Sequence, residues 1–112
     1  MRIAIPLANG KLAMHFGHCE RFALIDVDAE KKEITGKTEA TPPAHEPGVL
    51  PAWLAEQKVS AVITGGMGQR AQGLFAQQGI AVMAGASADT PERIVTAYLD
   101  GSLSLGGNVC DH

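Results

Sequence analysis

The chain is poor in cysteine and in aromatic residues, and few of its residues are charged. Two cysteines among 112 residues are too few for the disulfide framework of a small secreted domain, so we expect free thiols or ligands. Aromatic residues make up 4% of the sequence while glycine occurs 13 times, which favours an α/β domain with tight turns. The net charge of −3 argues against the basic surface that nucleic-acid binding needs.

Long apolar runs are also missing. No stretch approaches the roughly 20 residues that a membrane-spanning helix needs. The N-terminal segment MRIAIPLANG lacks the apolar region of a signal peptide. We therefore expect a cytoplasmic protein whose partners include neither membranes nor nucleic acids. The length is that of one domain, residues 1–112, with an irregular tail at 102–112.

Signatures of catalysis are scarce as well. None of the four serines lies in a nucleophile elbow, and no pair of carboxylates occupies a predicted pocket loop. The sequence therefore predicts a protein that is not an enzyme.

Hydrophobic patterning predicts an α/β fold with the element order β-β-β-α-β-α-β-α. The predicted strands are 2–8, 21–28, 33–39, 59–66 and 80–85, and the predicted helices are 49–57, 67–79 and 89–101. Two βαβ crossovers imply parallel pairing of the later strands, while the early meander implies one antiparallel strand. We predict a five-stranded mixed sheet in the order 3-2-1-4-5, with strand 2 antiparallel, three helices and a long loop at 9–20.

This strand order predicts a pocket at one edge of the sheet. The loops that follow strands 1, 3, 4 and 5 all emerge there, because those strands run in the same direction. They are 9–20, 40–47, 65–68 and 85–89. The chain leaves strand 1 in one direction and strand 4 in the other, which is the topological switch point where open sheets form a crevice.

Histidine and cysteine cluster in these loops and in the tail. The candidate metal ligands are His15, His18, Cys19, His45, Cys110 and His112. Imidazole and thiolate suit zinc, copper or iron rather than magnesium or calcium. The spacing matches no zinc-finger pattern, and incidental surface histidines with a frayed tail are the alternative. The eleven residues after the last predicted helix span up to about 35 Å when extended, so the tail can return to the pocket.

The segment TGGMGQRA joins a predicted strand to a predicted helix. Its candidate cofactor-binding residues are Gly65, Gly66, Met67, Gly68 and Arg70. Amide groups and the positive end of a helix can hold an anion there; a plain tight turn is the alternative. Dinucleotide binding is disfavoured because the next strand, IAVMAG, ends without the acidic residue that holds a ribose.

Three segments together resemble one known family. They are HFGHCERFALID, VSAVITGGMGQRAQGLFAQQGIAV and the tail GGNVCDH. They resemble the dinitrogenase iron-molybdenum cofactor biosynthesis domain family from Met1 to about Gly101, and a subset of that family shares the tail. The GGMG turn with its helix is the most specific part of the resemblance.

The resemblance implies a ribonuclease H-like three-layer fold without nuclease activity, and the first strand indeed lacks the carboxylate that such nucleases need. It also implies transient, non-catalytic binding of an iron-sulfur or iron-molybdenum-sulfur cluster, or of a precursor, between a donor and an acceptor protein of cofactor assembly. Some related proteins hold molybdenum-copper-sulfur clusters instead. The resemblance assigns His15 and His18 to the loop and Gly65, Gly66 and Gly68 to the turn.

Cys19 is not a general feature of the family. Two cysteines fit a carrier better than a ferredoxin, which uses four. Two alternatives stay open: a small module that binds zinc or copper, and a partner-binding domain with a vestigial pocket. Membership of the family would not by itself establish a role in nitrogen fixation.

Overall fold

The computed structural model describes residues 1–14, 16, 19–43 and 48–106, which form a mixed α/β fold with three helices. The elements are β1 (Arg2–Ala8), β2 (Lys11–Leu12), β3 (Arg21–Asp28), β4 (Glu33–Ala40), α1 (Val49–Glu56), β5 (Ala61–Thr64), α2 (Gln69–Gln77), β6 (Ala81–Ala84) and α3 (Pro91–Asp100). The predicted fold class, a mixed sheet with three helices, is confirmed. Among the described residues, no helix combines the length and the apolar character that crossing a bilayer demands.

The described strands form one sheet in the order β4-β3-β1-β5-β6, and β2 pairs with β1 outside this path. Strand β3 runs antiparallel to both of its neighbours, whereas β1, β5 and β6 run parallel. The carboxyl ends of β1, β5 and β6 therefore lie at the same edge. We call it the carboxyl edge of the sheet.

The prediction of five strands is wrong, because the span predicted as a loop at 9–20 contains β2. Asn9 and Gly10 adopt positive φ angles of 56° and 79°, as a two-residue hairpin turn requires. The turn folds Leu12 back onto Leu7 of β1. An Asn-Gly pair is a strong hairpin signal, and Asn9-Gly10 was therefore the sign of this strand in the sequence.

The sheet has an apolar core on each face. Helices α1 and α2 cover one face, where Phe22, Leu54 and Phe75 are fully buried. Helix α3 covers the other face, where Ile25 and Val95 are fully buried. Strand β3 is apolar on both faces, as a central strand should be, whereas β4 at the edge alternates and is largely exposed.

At the opposite edge from the predicted pocket, polar contacts hold the elements together. The Nε atom of Arg2 donates to Oδ1 of Asp26 at 2.8 Å, and its guanidinium also donates to the carbonyl oxygen of Gln57 at 2.7 Å. These bonds connect β1, β3 and the end of α1. The hydrogen bond from Arg2 lowers the pKa of Asp26. This network lies at the start of β1, at the end of the sheet opposite to the carboxyl edge.

Candidate functional site

The loops at the carboxyl edge contact one another through backbone hydrogen bonds. The amide of Gly65, after β5, donates to the carbonyl oxygen of Ala13 at 3.3 Å, and the amide of Gly85, after β6, donates to that of Gly65 at 2.5 Å. The amide of Leu12 also donates to the carbonyl oxygen of Asp89 at 2.9 Å. Three of the four loops predicted to share this edge are therefore in direct contact. Residues 44–47 of the fourth loop lie outside the described residues.

Gly65 allows the loop after β2 to approach the turn after β5 closely. A Cβ atom at Gly65 would lie 2.7 Å from the carbonyl oxygen and 2.8 Å from the Cα atom of Met14. The next residue, Gly66, accepts a hydrogen bond of 2.8 Å from the amide of Phe16. Met14 and Phe16 are the described residues on either side of His15. The chain on both sides of this histidine therefore contacts residues 65–68, which we call the glycine turn.

His15 and His18 themselves lie outside the described residues, as do His45, Cys110 and His112. Their predicted ligand roles stay predictions. All four histidines of the chain belong to this group. Within residues 1–14, 16, 19–43 and 48–106, no three side chains of histidine, cysteine, aspartate or glutamate come together as a metal site would require.

Phe16 lies between the two histidines in the sequence and is packed in the core. Its side chain is only 6% exposed, and its ring centroid lies 5.7 Å from that of Phe22 and 5.4 Å from that of Phe75, edge-on to the latter. Such edge-to-face contacts stabilise beyond simple burial. Phe16 was not among the predicted site residues, although a single aromatic residue between two histidines was the available signal.

Cys19 faces the same core. It is 8% exposed and packs within the cluster that includes Phe16 and Phe22. Burial raises the pKa of the Cys19 thiol from 9.0 to about 11, so the thiol is protonated at neutral pH. A metal ligand must be the thiolate. In this arrangement Cys19 is a core residue, and a ligand role, which stays a prediction, would require its side chain to leave the core.

Helix α2 starts directly after the glycine turn, so its positive end lies at the carboxyl edge. Gly68 is its N-cap residue without a side-chain cap, and the first turn carries no acidic residue. Arg70 in that turn is exposed. A helix N-terminus of this kind is favourable to an anion. Met67, also predicted to bind the cofactor, has a side chain that is 1% exposed within the core, while its carbonyl oxygen accepts a hydrogen bond of 2.8 Å from Gln72.

Thr64 is the last residue of β5 and directly precedes the glycine turn. It is fully buried, and its Oγ1 atom has no hydrogen-bond partner among the described residues. A buried hydroxyl without a partner is costly, so it is unusual in a strand that is otherwise apolar. Sequence reasoning missed Thr64. The available signal was a polar residue at the end of the apolar strand VSAVIT, directly before the glycine turn.

The beginning of the C-terminal tail returns to the same edge. After α3, Leu103 packs against the core on the α3 face, and the amide of Gly106 donates to the carbonyl oxygen of Gly85 at 2.7 Å. Gly85 has a φ of +98°, and a Cβ atom there would collide with the backbone of Gly106. The described part of the tail thus returns to the carboxyl edge as far as Gly106.

The family model described as dinitrogenase iron-molybdenum cofactor matches residues 1–101. The chain belongs to this family. Membership confirms the resemblance inferred from the loop, the glycine turn and α2, and it indicates a role related to this cofactor.

Individual proteins are similar to this dinitrogenase cofactor family member over most of their length. An uncharacterized protein of Methanocaldococcus jannaschii is 34% identical over 107 residues, covering 92% of the chain and 89% of the relative. The crystal structure of PH0822 has a TM-score of 0.85 at 27% identity, with 94% of each chain covered. The apo form of the orange protein from Desulfovibrio gigas has a TM-score of 0.72 at 23% identity, covering 96% of the chain and 93% of that protein, which shows a shared fold.

Proposed function

We propose that this protein is a non-catalytic carrier for an iron-sulfur or iron-molybdenum-sulfur cluster, or for a precursor, during the assembly of a metal cofactor. The observation that carries the proposal is the contact between the loop that bears His15 and His18 and the glycine turn. Met14 lies against Gly65, and Phe16 donates to Gly66. The described residues on both sides of His15 and the turn proposed to bind an anion thus meet at one edge of the sheet.

The chemistry of a metal-sulfur cluster suits this combination. Such clusters are anionic, and their iron or molybdenum atoms accept imidazole and thiolate ligands. The N-terminus of α2 and Arg70 offer positive charge, and the first turn of α2 contains no acidic residue. His15 and His18, with Cys19, His45, Cys110 and His112 as further candidates, would supply the direct bonds.

A carrier must also release the cluster that it binds, which we call its guest. Four thiolates around a cluster make a permanent site, and this chain has only two cysteines. One of these, Cys19, is buried with a raised pKa. Binding through a few imidazoles, at most one readily available thiolate and backbone amides is weaker, as handing the cluster from a donor to an acceptor protein requires. We place this exchange in the cytoplasm.

The proposal includes a ribonuclease H-like architecture of the fold and the absence of enzymatic activity. Fold alone assigns no chemistry. The first strand contains no acidic residue, whereas metal-dependent nucleases of that architecture need carboxylates. A molybdenum-copper-sulfur cluster is a further possible guest, because it presents the same anionic sulfide surface.

Elemental analysis after anaerobic loading tests the class of guest. The protein is incubated with iron, sulfide and molybdate, desalted, and assayed for metals and acid-labile sulfide. We expect iron and sulfide to remain bound together, with visible charge-transfer absorption. Retention of metal without sulfide, in this incubation or in parallel ones with zinc or copper alone, would instead favour a simple metal-binding module. A colourless, metal-free protein under all these conditions would favour a partner-binding domain with a vestigial pocket.

A further inference from the structure

Thr64 is a polar residue that the fold buries completely. It ends β5 and is 0% exposed. Its carbonyl oxygen accepts hydrogen bonds of 3.1 Å from the amides of Gly85 and Ala86. Its Oγ1 atom, by contrast, has no hydrogen-bond partner within the part of the chain that the structure describes. A buried hydroxyl lowers stability unless it forms a hydrogen bond, so its presence at this position calls for an explanation.

The alternation of β5 places the side chain of Thr64 on the face that α1 and α2 cover. Ala61 and Ile63 belong to the core on the α3 face, whereas Val62 belongs to the core on the opposite face. Because successive side chains of a strand point to opposite faces, Thr64 points the same way as Val62. Helix α2 packs on this face through Phe75. The hydroxyl and α2 therefore lie on the same side of the sheet.

The N-terminus of α2 follows Thr64 closely along the chain. Only the glycine turn, residues 65–68, separates Thr64 from Gln69, the first residue of α2. Met67 is the one residue of this turn that has a side chain, and that side chain is in the core. The helix N-terminus carries a partial positive charge and amides without intrahelical partners. It has neither a side-chain cap nor an acidic residue in its first turn.

These two features together point to an anionic ligand with hydrogen-bond acceptors. A helix N-terminus alone would favour many anions and would select none of them. The hydroxyl of Thr64 adds a directional donor, in a buried environment where a hydrogen bond is stronger than in water. The sulfur atoms of a metal-sulfur cluster accept hydrogen bonds, and the cluster is anionic. Such a cluster therefore matches both features.

We propose that the Oγ1 atom of Thr64 donates a hydrogen bond to a sulfur atom of the guest, beside the N-terminus of α2. This inference rests on the proposed carrier function and adds to it a residue that positions the guest. Oγ1 is covered in the structure, so a guest atom that reaches it displaces part of that cover. The unfavourable burial of the hydroxyl is then offset when the guest binds.

Two substitutions separate the hydroxyl from the shape of the side chain. Thr64→Val replaces the hydroxyl by a methyl group and keeps the branched shape, whereas Thr64→Ser keeps the hydroxyl and loses the methyl group. Ile63→Val is the matched control, because it shortens a buried side chain of the same strand on the opposite face. Each protein is loaded anaerobically with iron and sulfide. The rate at which a chelator removes the iron and the reduction potential of the bound cluster are then measured.

We expect iron release to depend on the hydroxyl and not on stability. Iron should leave Thr64→Val about tenfold faster than the wild type, as the loss of one hydrogen bond predicts. Thr64→Ser and Ile63→Val should release iron about as slowly as the wild type, although both lose buried apolar atoms. The reduction potential should be lower in Thr64→Val and unchanged in Thr64→Ser, because hydrogen bonds to the sulfur atoms favour the reduced cluster.

A purely structural role of Thr64 predicts a different order. Release that is slowest in Thr64→Val and fastest in Thr64→Ser would follow stability and would overturn the inference. Equal release and equal potential in the wild type and Thr64→Val, with iron and sulfide bound to both, would overturn it while the carrier function stands. A Thr64→Val protein that is clearly less stable than the wild type before loading would show that the hydroxyl is already bonded within the protein, which also overturns the inference. A wild type that retains neither iron nor sulfide would overturn both proposals.

Discussion

The amide of Phe16 donates a hydrogen bond of 2.8 Å to the carbonyl oxygen of Gly66. The ring of Phe16 is at the same time inserted between Phe22 and Phe75 in the core. Phe16, within the loop between β2 and β3, is therefore held both by core packing and by a backbone contact to the turn after β5. Sites held in place in this way lose less entropy on binding.

The close approach at Gly65 predicts a strong effect of a single methyl group. Gly65→Ala places a Cβ atom 2.7 Å from the carbonyl oxygen of Met14, so the loop and the turn must move apart. We expect the free energy of unfolding to fall by about 2–3 kcal/mol, measured by urea denaturation. We also expect retention of iron and sulfide to decrease.

A matched control lies in the same part of the chain. Gly73 is within α2, and a Cβ atom there would meet nothing within 4 Å. Gly73→Ala should raise the free energy of unfolding by up to about 1 kcal/mol, because alanine is the better helix former. Equal stability of Gly65→Ala and the wild type would contradict the tight contact with Met14.

The buried hydroxyl of Thr64 leads to a second prediction. Since Oγ1 has no hydrogen-bond partner among the described residues, Thr64→Val replaces a polar atom by a methyl group of similar shape. We expect the free energy of unfolding to rise by about 1 kcal/mol. Thr64→Ser, which keeps the hydroxyl and loses the methyl group, should instead be destabilising. A marked loss of stability in Thr64→Val would show that the hydroxyl is satisfied after all.

The pKa of Cys19 predicts a dependence of stability on alkaline pH. In the unfolded chain the thiol loses its proton near pH 9, whereas burial raises the pKa in the folded protein to about 11. Between these values the unfolded state binds fewer protons, so stability falls as the pH rises. We expect the contribution of Cys19 to the free energy of unfolding to decrease by about 2 kcal/mol between about pH 8 and about pH 10.5.

Cys19→Ala provides the comparison, because it lacks this titration. The difference in the free energy of unfolding between the wild type and Cys19→Ala should shrink over this range. A difference that is independent of pH would mean that Cys19 is not buried as described.

The helices and the long strands were predictable because burial imposes a period on the sequence. Ile94 and Val95 of α3 face the core, and Gly101 with a φ of +82° ends that helix, as its pattern indicated. The short strand β2 was missed, since two residues are too few to show a period. Its Asn9-Gly10 turn was the usable sign.

The residues that let the loops pack closely at the carboxyl edge were harder to predict. The importance of Gly65 follows from a close approach to Met14, and that of Gly85 from an approach to Gly106. Both involve segments far apart in sequence, so no local pattern marks them. The shared edge itself was predictable, because it depends only on the direction of the strands.

The most direct test of the central claim removes the two imidazoles of the loop. His15→Ala/His18→Ala is loaded anaerobically with iron and sulfide beside the wild type and Gln77→Ala, an exposed substitution at the far end of α2. Bound iron and acid-labile sulfide per chain are then measured. The carrier account predicts that the wild type and Gln77→Ala retain both, and that the double variant retains at least about tenfold less. Equal retention in all three proteins would contradict it.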